Sequence, residues 1–224
     1  MTESPKAAII EKIRKVSHGV RITVSILPEP LFLPSNIVEQ DNLKEGMELH
    51  PNYLRQLQTN SEFNECDAKA AGILSRRDYS VGEFKRKLRL QNFNEDTVKE
   101  IASKYKSKGL LDDRKYALKI VEKILNEKPS GKPYLIATLR RKLIHRELAY
   151  ETVNSILENQ DDAALAVSAL RKRWRRFGQF DVEEARRKAY NYLSRRGFSY
   201  SAAKDAFAKL WQEDAVGSKE EEDY

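Results

Sequence analysis

Arginine and lysine are the residues of this 224-residue chain whose types and spacing point most clearly to chemistry, because they recur in four dense groups. The guanidinium of arginine forms paired hydrogen bonds with phosphates and carboxylates, and lysine adds a mobile positive charge. Such groups predict surfaces that bind an anionic partner. The candidate partner-binding residues are Lys85, Arg86, Lys87, Arg89, Arg140, Arg141, Lys142, Arg146, Arg171, Lys172, Arg173, Arg175, Arg176, Arg186, Arg187, Arg195 and Arg196.

The group at 171–176 also contains a tryptophan, Trp174. An indole can stack against a partner or become buried at an interface. Alternatively, Trp174 continues an apolar helical stripe formed by Ala166 and Leu170 and belongs to the core. We favour the core interpretation slightly, and the cations on either side remain exposed under both.

Sequence motifs typical of enzymes are missing. Gly131-Lys132-Pro133 lacks the preceding glycine and the hydroxyl residue of a phosphate-binding loop. The paired carboxylates Asp112-Asp113 and Asp161-Asp162 stand where helices are expected to begin, so we assign them to helix capping rather than to acid-base catalysis. The sequence therefore indicates a protein that is not an enzyme.

Cysteine and histidine indicate neither a metal site nor a redox site. Cys66 is the only cysteine, which excludes an intramolecular disulfide. It is expected just before a helix, where the pKa of the thiol could be lowered, but without a paired histidine we favour a structural role. The histidines at 18, 50 and 145 are too far apart to suggest a ligand cluster. We expect no cofactor and no bound metal.

The net charge of +7 is unevenly distributed. Residues 1–60 are neutral, residues 61–212 carry 33 Lys and Arg against 21 Asp and Glu, and residues 213–224 carry one against six. The last segment is predicted to be a disordered acidic tail. No run approaches the roughly 18 apolar residues that a membrane span needs, so we expect a cytoplasmic protein with no membrane partner.

Proline divides the chain into regions of different character. Five of the seven prolines lie within the first 51 residues, where short β-branched segments predict about three strands. From about residue 62 onward the apolar residues follow helical spacing. We predict a mainly α protein: an elongated array of tandem three-helix repeats behind a small strand-rich N-terminal subdomain. The predicted boundaries are 1–60 for the subdomain, 61–112, 113–160 and 161–212 for the three repeats, and 213–224 for the tail.

The repeats emerge when the helical segments are overlaid. Leu88, Leu143 and Leu193 coincide at offsets of 55 and 50 residues, and so do Phe93, Leu148 and Phe198. This alignment places a basic helix face at the same position of every repeat. A generic helical bundle with coincidental leucines is the alternative, although it does not predict spacing that is kept across a helix, a turn and a second helix.

Two motifs of the first repeat resemble the bacterial RecX family of recombinase regulators. They are the run from Ser75 to Leu88, with Arg77, Tyr79, Ser80 and Glu83, and the block Gly109-Leu-Leu-Asp-Asp-Arg-Lys-Tyr-Ala117. The second repeat departs from the family pattern. Ser130-Gly-Lys-Pro133 carries an inserted lysine, and Arg146-Glu-Leu148 replaces the usual Lys-Gly-Ile-like turn.

The resemblance implies a monomer that binds RecA along its filament on single-stranded DNA and mainly inhibits it. RecA's recombinase, ATPase and coprotease activities in DNA repair and the SOS response would then fall. The basic groups would contact RecA, DNA phosphates directly, or both. The alternative is a nucleic-acid-binding helical repeat protein that acts independently of RecA. A tetratricopeptide scaffold is disfavoured because the repeat length is near 50 rather than 34.

Overall fold

The structure is a computed structural model that describes residues 7–177 and 179–220, with side chains described as far as Asp214. The described residues form two compact units. The first contains the chain up to Tyr79 together with Glu83–Leu111, and the second contains Ser80–Gly82 and the chain from Asp112 onward. None of the helices in these residues combines the length and the apolarity that crossing a membrane requires.

A small antiparallel sheet opens the first unit and confirms the strand-rich N-terminal subdomain. It has four strands where the sequence predicted about three, because the two-residue fourth strand is too short to leave a pattern. The strands are β1 (Ala8–Val16), β2 (Gly19–Val24), β3 (Leu31–Leu33) and β4 (Glu48–Leu49), in the order β3-β2-β1-β4, with α1 (Ser35–Gln40) between the last two in sequence. Apolar side chains of the inner sheet face pack with Leu54 and Leu57 of the following helix.

The helices of the first unit are α2 (Pro51–Leu74), α3 (Val81–Arg89), whose first two residues belong to the second unit, and α4 (Glu95–Ser107). Helix α2 begins well before the expected start near 62, because Pro51 occupies the first helical turn and His50 caps the helix by accepting the N–H of Asn52. At the start of α4, the side chain of Asn94 accepts the N–H of Asp96 and caps the helix.

The second unit contains the remaining helices. They are α5 (Asp113–Glu127), α6 (Lys132–Arg141), α7 (Arg146–Leu157), α8 (Asp162–Arg171), a 3-10 turn (Trp174–Arg176), α9 (Val182–Arg195) and α10 (Tyr200–Glu220). Asp112 and Asp161 accept backbone N–H groups at the starts of α5 and α8, which confirms their capping role, and Asp181 accepts one at the start of α9. We refer to α2–α4, α5–α7 and α8–α10 as the first, second and third repeats.

The three-helix repeats are confirmed, but the alignment of the second repeat was wrong by one helical turn. Each repeat has a residue with positive φ between its last two helices, namely Asn92, Leu143 and Gly197. The apolar residue after it is Phe93, Ile144 or Phe198, which gives offsets of 51 (93 to 144) and 54 (144 to 198) rather than 55 and 50. The buried counterpart of Leu88 and Leu193 is Leu139, whereas Leu143 is 42% exposed. Leu139 and Leu143 were confused because residues four apart share a helix face.

The acidic tail was expected to be disordered from residue 213. The structure instead continues α10 to Glu220, and residues 221–224 of the predicted tail lie outside the described residues.

Candidate partner-binding surfaces

The first basic group surrounds a buried stripe on α3. Phe84 and Leu88 are fully buried, so the cations beside them lie on the outer side of the helix. Arg89 is occupied, because its Nε and NH2 atoms lie 2.6 and 2.7 Å from the two carboxylate oxygens of Glu95. This contact lowers the pKa of Glu95, chiefly through the hydrogen bond from Arg89. Lys85 and Arg86 make no ion pair with a described residue.

Residues that carry the family resemblance form a compact contact within the first unit. The guanidinium of Arg77 lies 3.7 Å from the ring centroid of Tyr79, and the ammonium of Lys87 lies 5.7 Å from the same ring. Arg77 also pairs with the buried carboxylate of Glu83 at 3.6 Å. A cation over an aromatic face is attracted by its quadrupole, so these side chains stabilise the start of α3.

The neighbouring motif residues, Ser80 to Gly82, make their contacts within the second unit. The Ser80 hydroxyl donates to the carbonyl of Lys142, and the N–H of Val81 donates to Asp113 at 2.8 Å. A Cβ at Gly82 would meet the Cβ of Leu143 at 2.6 Å, so only glycine fits there without a shift. These motif residues therefore have structural roles, and their partners more than 30 residues away left no local signal in the sequence.

The second group lies at the end of α6. Arg140 donates to the carbonyl of Ile144 at 3.0 Å, and Arg141 donates to the hydroxyl of Thr138 at 2.9 Å. Lys142 is half-buried, while Arg146 is exposed with its guanidinium 5.6 Å from the Tyr150 ring. Cations in a last helical turn are favoured by the helix dipole, which accounts for part of this cluster.

The corrected alignment also changes the repeated basic face. The counterparts of Lys85 and Arg86 are Ile136 and Ala137 in the second repeat, and Tyr190 and Asn191 in the third. The expectation of one basic face at the same position in every repeat is therefore wrong. Cations do recur near the end of the middle helix, but not position by position.

Helix α9 carries the third group. Arg186 and Arg187 each pair with a glutamate three residues earlier, at 183 and 184. Arg195 is exposed and makes no ion pair with a described residue. Arg196 is half-buried and donates to the carbonyls of Lys128 and Pro129 in the second repeat.

The fourth group, residues 171–176, begins at the last residue of α8, and its cations differ most in their contacts. Arg171 pairs with Glu213 at 2.8 Å, and the Lys172 ammonium donates to the carbonyls of Asn126 and Glu127 at 2.6 and 3.1 Å. Arg173 lies 5.0 Å from the ring centroid of Tyr192. Arg175 and Arg176 are exposed and make no ion pair with a described residue.

Trp174 belongs to the core of the third repeat, which confirms the favoured interpretation. Its ring centroid lies 5.7 Å from that of Phe207 and 6.2 Å from that of Trp211. It reaches the core from a 3-10 turn and not by continuing α8, which ends at Arg171.

Two of the candidate binding residues, Lys172 and Arg196, instead connect the third repeat to the second. Helix α5 has no basic residue in its own last turn. The carbonyls at its end and just beyond it are satisfied by Lys172 and Arg196 from the third repeat. The Arg196 guanidinium also lies 4.4 Å from the ring centroid of Tyr134, and the N–H of Gly131 donates to the Arg196 carbonyl at 2.9 Å.

Eight candidate residues are exposed or half-exposed and make neither an ion pair nor a side-chain hydrogen bond with any residue within 7–177 and 179–214. We call them the open cations: Lys85, Arg86, Lys87, Arg146, Arg173, Arg175, Arg176 and Arg195. They are the candidates whose charge is most available to a partner.

The groups considered for catalysis do not form an active site in the described part of the chain. Cys66 lies inside α2, not before a helix, and burial, with further contributions from Glu62 and Asp67, raises the pKa of its thiol to about 12. A groove of about 1040 Å³ runs along α9 and α10, and its described lining includes Tyr190 and Tyr200 but neither cysteine nor histidine. Within the described residues, no three His, Cys, Asp or Glu side chains lie close enough together to hold a metal ion.

Comparisons with known proteins agree with the fold. Residues 160–207 match the family model for the third three-helix domain of RecX. A regulatory protein RecX of Clostridioides difficile is 30% identical over 75% of this chain and 79% of its own length. One from Pelodictyon phaeoclathratiforme is 27% identical over 63% and 86%, respectively.

Two solved structures share the fold. A crystal structure of regulatory protein RecX superposes with a TM-score of 0.62, covering 88% of this chain and 97% of its own, at 23% identity. The structure of RecX from Lactobacillus salivarius gives a TM-score of 0.56 over 66% of this chain and 96% of its own, also at 23% identity.

Proposed function

The chain belongs to the RecX family of regulatory proteins, and from that premise we propose that it binds the RecA filament on single-stranded DNA and restrains RecA. Recombination, ATP hydrolysis and the coprotease activity that initiates the SOS response would fall together, because all of them require the filament. The observation that carries the proposal is the similarity to the Clostridioides difficile regulatory protein over most of both chains.

The open cations support a binding role of this kind. They occur in all three repeats, at Lys85, Arg86 and Lys87 in the first, Arg146 in the second, and Arg173, Arg175, Arg176 and Arg195 in the third. A filament presents the same acidic or phosphate groups at regular intervals. Several weak contacts from one chain to successive filament subunits then add up to a strong interaction. The protein acts by binding and needs no catalytic group of its own.

A RecA ATPase titration tests the proposal. Purified RecA on single-stranded DNA is titrated with this protein at up to a few-fold molar excess, and co-sedimentation with the filament is measured in parallel. We expect ATP hydrolysis and strand exchange to fall as the protein co-sediments. Unchanged ATPase activity and strand exchange, with no co-sedimentation, would contradict the proposal.

A variant that lacks three of the open cations tests whether they form the surface that contacts the RecA filament. In the variant Arg146→Gln, Arg175→Gln and Arg176→Gln, three open cations lose their charge, and we expect at least a tenfold weaker inhibition of RecA. A matched control changes Lys115, Lys123 and Lys209, which are also exposed, to glutamine. Both variants lose three positive charges, so equal effects would indicate non-specific attraction and not a defined surface.

The open cations also favour a second candidate, a nucleic-acid-binding repeat protein that acts without RecA. This candidate predicts that the isolated protein binds nucleic acid tightly and with a strong dependence on salt, and that the three open-cation substitutions weaken this binding. It also predicts that the wild-type protein leaves the RecA ATPase unchanged. Inhibition of RecA that the open-cation variant loses would exclude it.

A further inference from the structure

The outer face of the N-terminal sheet carries a row of three side chains on adjacent strands. Arg14 of β1 lies opposite Arg21 of β2, which in turn lies opposite Phe32 of β3. Opposed residues of antiparallel strands point to the same face of a sheet. Leu31 and Leu33 are buried on the inner face, so Phe32 between them points away from the core. We call Arg14, Arg21 and Phe32 the outer row.

The Phe32 ring of this row is open to a partner. It is half-buried and does not belong to the apolar cluster beneath the sheet. A Cβ added at Gly19 of β2 would lie 3.1 Å from Cε2 of the ring, so the ring leans along the sheet toward a residue without a side chain. Although Arg21 is directly opposite, no cation and no second ring of the described residues lies over Phe32. One face of the ring is therefore left for stacking.

The cations of the outer face are not neutralised by the described part of the chain. Arg14 and Arg21 are exposed, and so is Lys12, two residues before Arg14 on the same strand. None of the three forms an ion pair with a residue in 7–177 or 179–214. Two arginines directly opposite each other repel, and an anionic partner relieves that repulsion. The face is therefore suited to a polyanion.

Acidic residues of the subdomain lie toward the other side of the sheet. Glu48 is on β4, which pairs with β1 on the side away from β2, and Glu45 accepts the N–H of Ile13 at 2.8 Å on that same side. Glu11 is the unpaired residue of a β-bulge in β1. Strands β2 and β3 contain no acidic residue. An anionic chain is therefore expected to cross the face on the β2 and β3 side, where the ring lies.

A ring beside cations distinguishes between polyanions. The bases of a duplex are stacked on one another, and a sheet of four strands is wider than the two-stranded ribbon that enters a major groove. An unpaired base can stack on an aromatic side chain of a sheet while cations contact the adjacent phosphates. An acidic protein surface fits less well, because charged residues are depleted at the centre of protein interfaces, whereas the centre of this row is Arg21.

We propose that the outer row binds single-stranded nucleic acid, with one base stacked on Phe32 and neighbouring phosphates contacted by Arg21 and Arg14. Guanidinium groups suit phosphate oxygens because they donate paired hydrogen bonds. Every base has an aromatic face and every nucleotide a phosphate, so the contact does not depend on the base sequence. The inference concerns the isolated protein and residues outside the three-helix repeats, so it does not depend on binding to RecA.

Two variants separate the stacking contact from the charge contacts. Binding of labelled 20-nucleotide strands of deoxythymidine and of uridine is measured by fluorescence anisotropy at several salt concentrations. Phe32→Leu keeps an apolar side chain beside Gly19 but loses the ring, so we expect affinity to fall by about fivefold or more at an unchanged salt slope. Arg14→Gln with Arg21→Gln should reduce the slope of log K against log salt by about 1.4, or about 0.7 per lost phosphate contact. Phe32→Tyr keeps a ring and should retain the wild-type affinity.

The matched control for the charge variant changes Arg55 and Lys69 of α2 to glutamine, because both are exposed in the same unit. It should retain wild-type affinity and salt slope, and circular dichroism should show all variants folded. The proposal is overturned if the control loses as much affinity as the Arg14 and Arg21 variant, if Phe32→Leu binds the strands like the wild type, or if the wild type prefers a 20-base-pair duplex. It is also overturned if Phe32→Leu weakens binding of poly-glutamate as much as that of the strands, because a stacked base would then play no part.

Discussion

Replacing Arg196 by alanine tests the role assigned to the junction between the second and third repeats. Arg196 donates to the carbonyls of Lys128 and Pro129 and lies 4.4 Å from the Tyr134 ring centroid. A hydrogen bond from a charged donor contributes about 1.5 to 3 kcal/mol net. A cation–π contact adds about 0.5 to 1 kcal/mol at a partly exposed site. Because Arg196 is only half-buried, we take the lower part of this range and expect a loss of about 2 to 3 kcal/mol.

Arg195 provides the control, since it is adjacent in sequence, exposed, and makes no ion pair with a described residue. Arg195→Ala removes the same charge from the same helix end and should change the free energy of unfolding by less than about 0.5 kcal/mol. Arg196→Lys keeps the charge but loses the planar fork, so its loss should lie between those of the two alanine variants.

Urea unfolding followed by tryptophan fluorescence is the appropriate assay. Both tryptophans, Trp174 and Trp211, lie in the third repeat and contact each other, so their emission reports the unfolding of that repeat. We expect the urea midpoint of Arg196→Ala to fall while the dependence on urea concentration is unchanged. A loss below about 0.5 kcal/mol, or an equal loss for Arg195→Ala, would refute the assignment of Arg196 to the junction.

Three further outcomes are expected. Gly197→Ala should lower the free energy of unfolding in urea by about 2 kcal/mol or more, because φ is +79° and a Cβ would contact the backbone of another segment. Gly109→Ala should lower it by only about 1 kcal/mol, because φ is +70° but no atom lies within 4 Å of the added Cβ. Equal losses for the two variants would contradict this reasoning. Arg14→Glu should raise the free energy of unfolding by about 0.2 to 1 kcal/mol by pairing with Arg21 in place of repulsion, and lower stability would count against the cross-strand contact. Burial raises the pKa of the Cys66 thiol from 9.0 to about 12, so alkylation of the native chain at pH 8 should be slow. Because the thiol ionises at lower pH in the unfolded chain, the free energy of unfolding should fall as pH rises above about 9. Rapid alkylation of the native chain would show that the thiol is accessible.

Local signals in the sequence predicted much of the fold. Asp112 and Asp161 cap helices where the pattern of carboxylate and apolar residues indicated, and the positions of the prolines separated the strand-rich segment from the helices. Such features depend on residues a few positions apart, so they can be recognised in a single sequence. The alignment of the second repeat failed because Leu139 and Leu143 are one turn apart and equally apolar. The positive φ of Leu143 and its exposure show that the helix has already ended there.

The candidate site was less predictable, because charge density does not show which cations are occupied. Lys172 and Arg196 bind carbonyl groups 45 to 68 residues earlier in the chain. Arg89 is engaged with Glu95 and Arg171 with Glu213. The family turn assigned from the sequence to Arg146-Glu-Leu148 corresponds to Lys142-Leu143-Ile144, where leucine occupies the position that is Gly197 in the third repeat. Long-range partners of this kind leave no local signal.

The capping of α5 from the third repeat has a consequence for synthesis of the chain. Protein is made from the N-terminus, so the Lys128 carbonyl emerges 68 residues before Arg196, the side chain that binds it. During that interval water must satisfy the carbonyls at the end of α5, because the side chains that bind them in the finished protein have not yet been made. We therefore expect a nascent chain that stops within the third repeat to be more sensitive to proteolysis around Asn126–Pro129 than the finished protein.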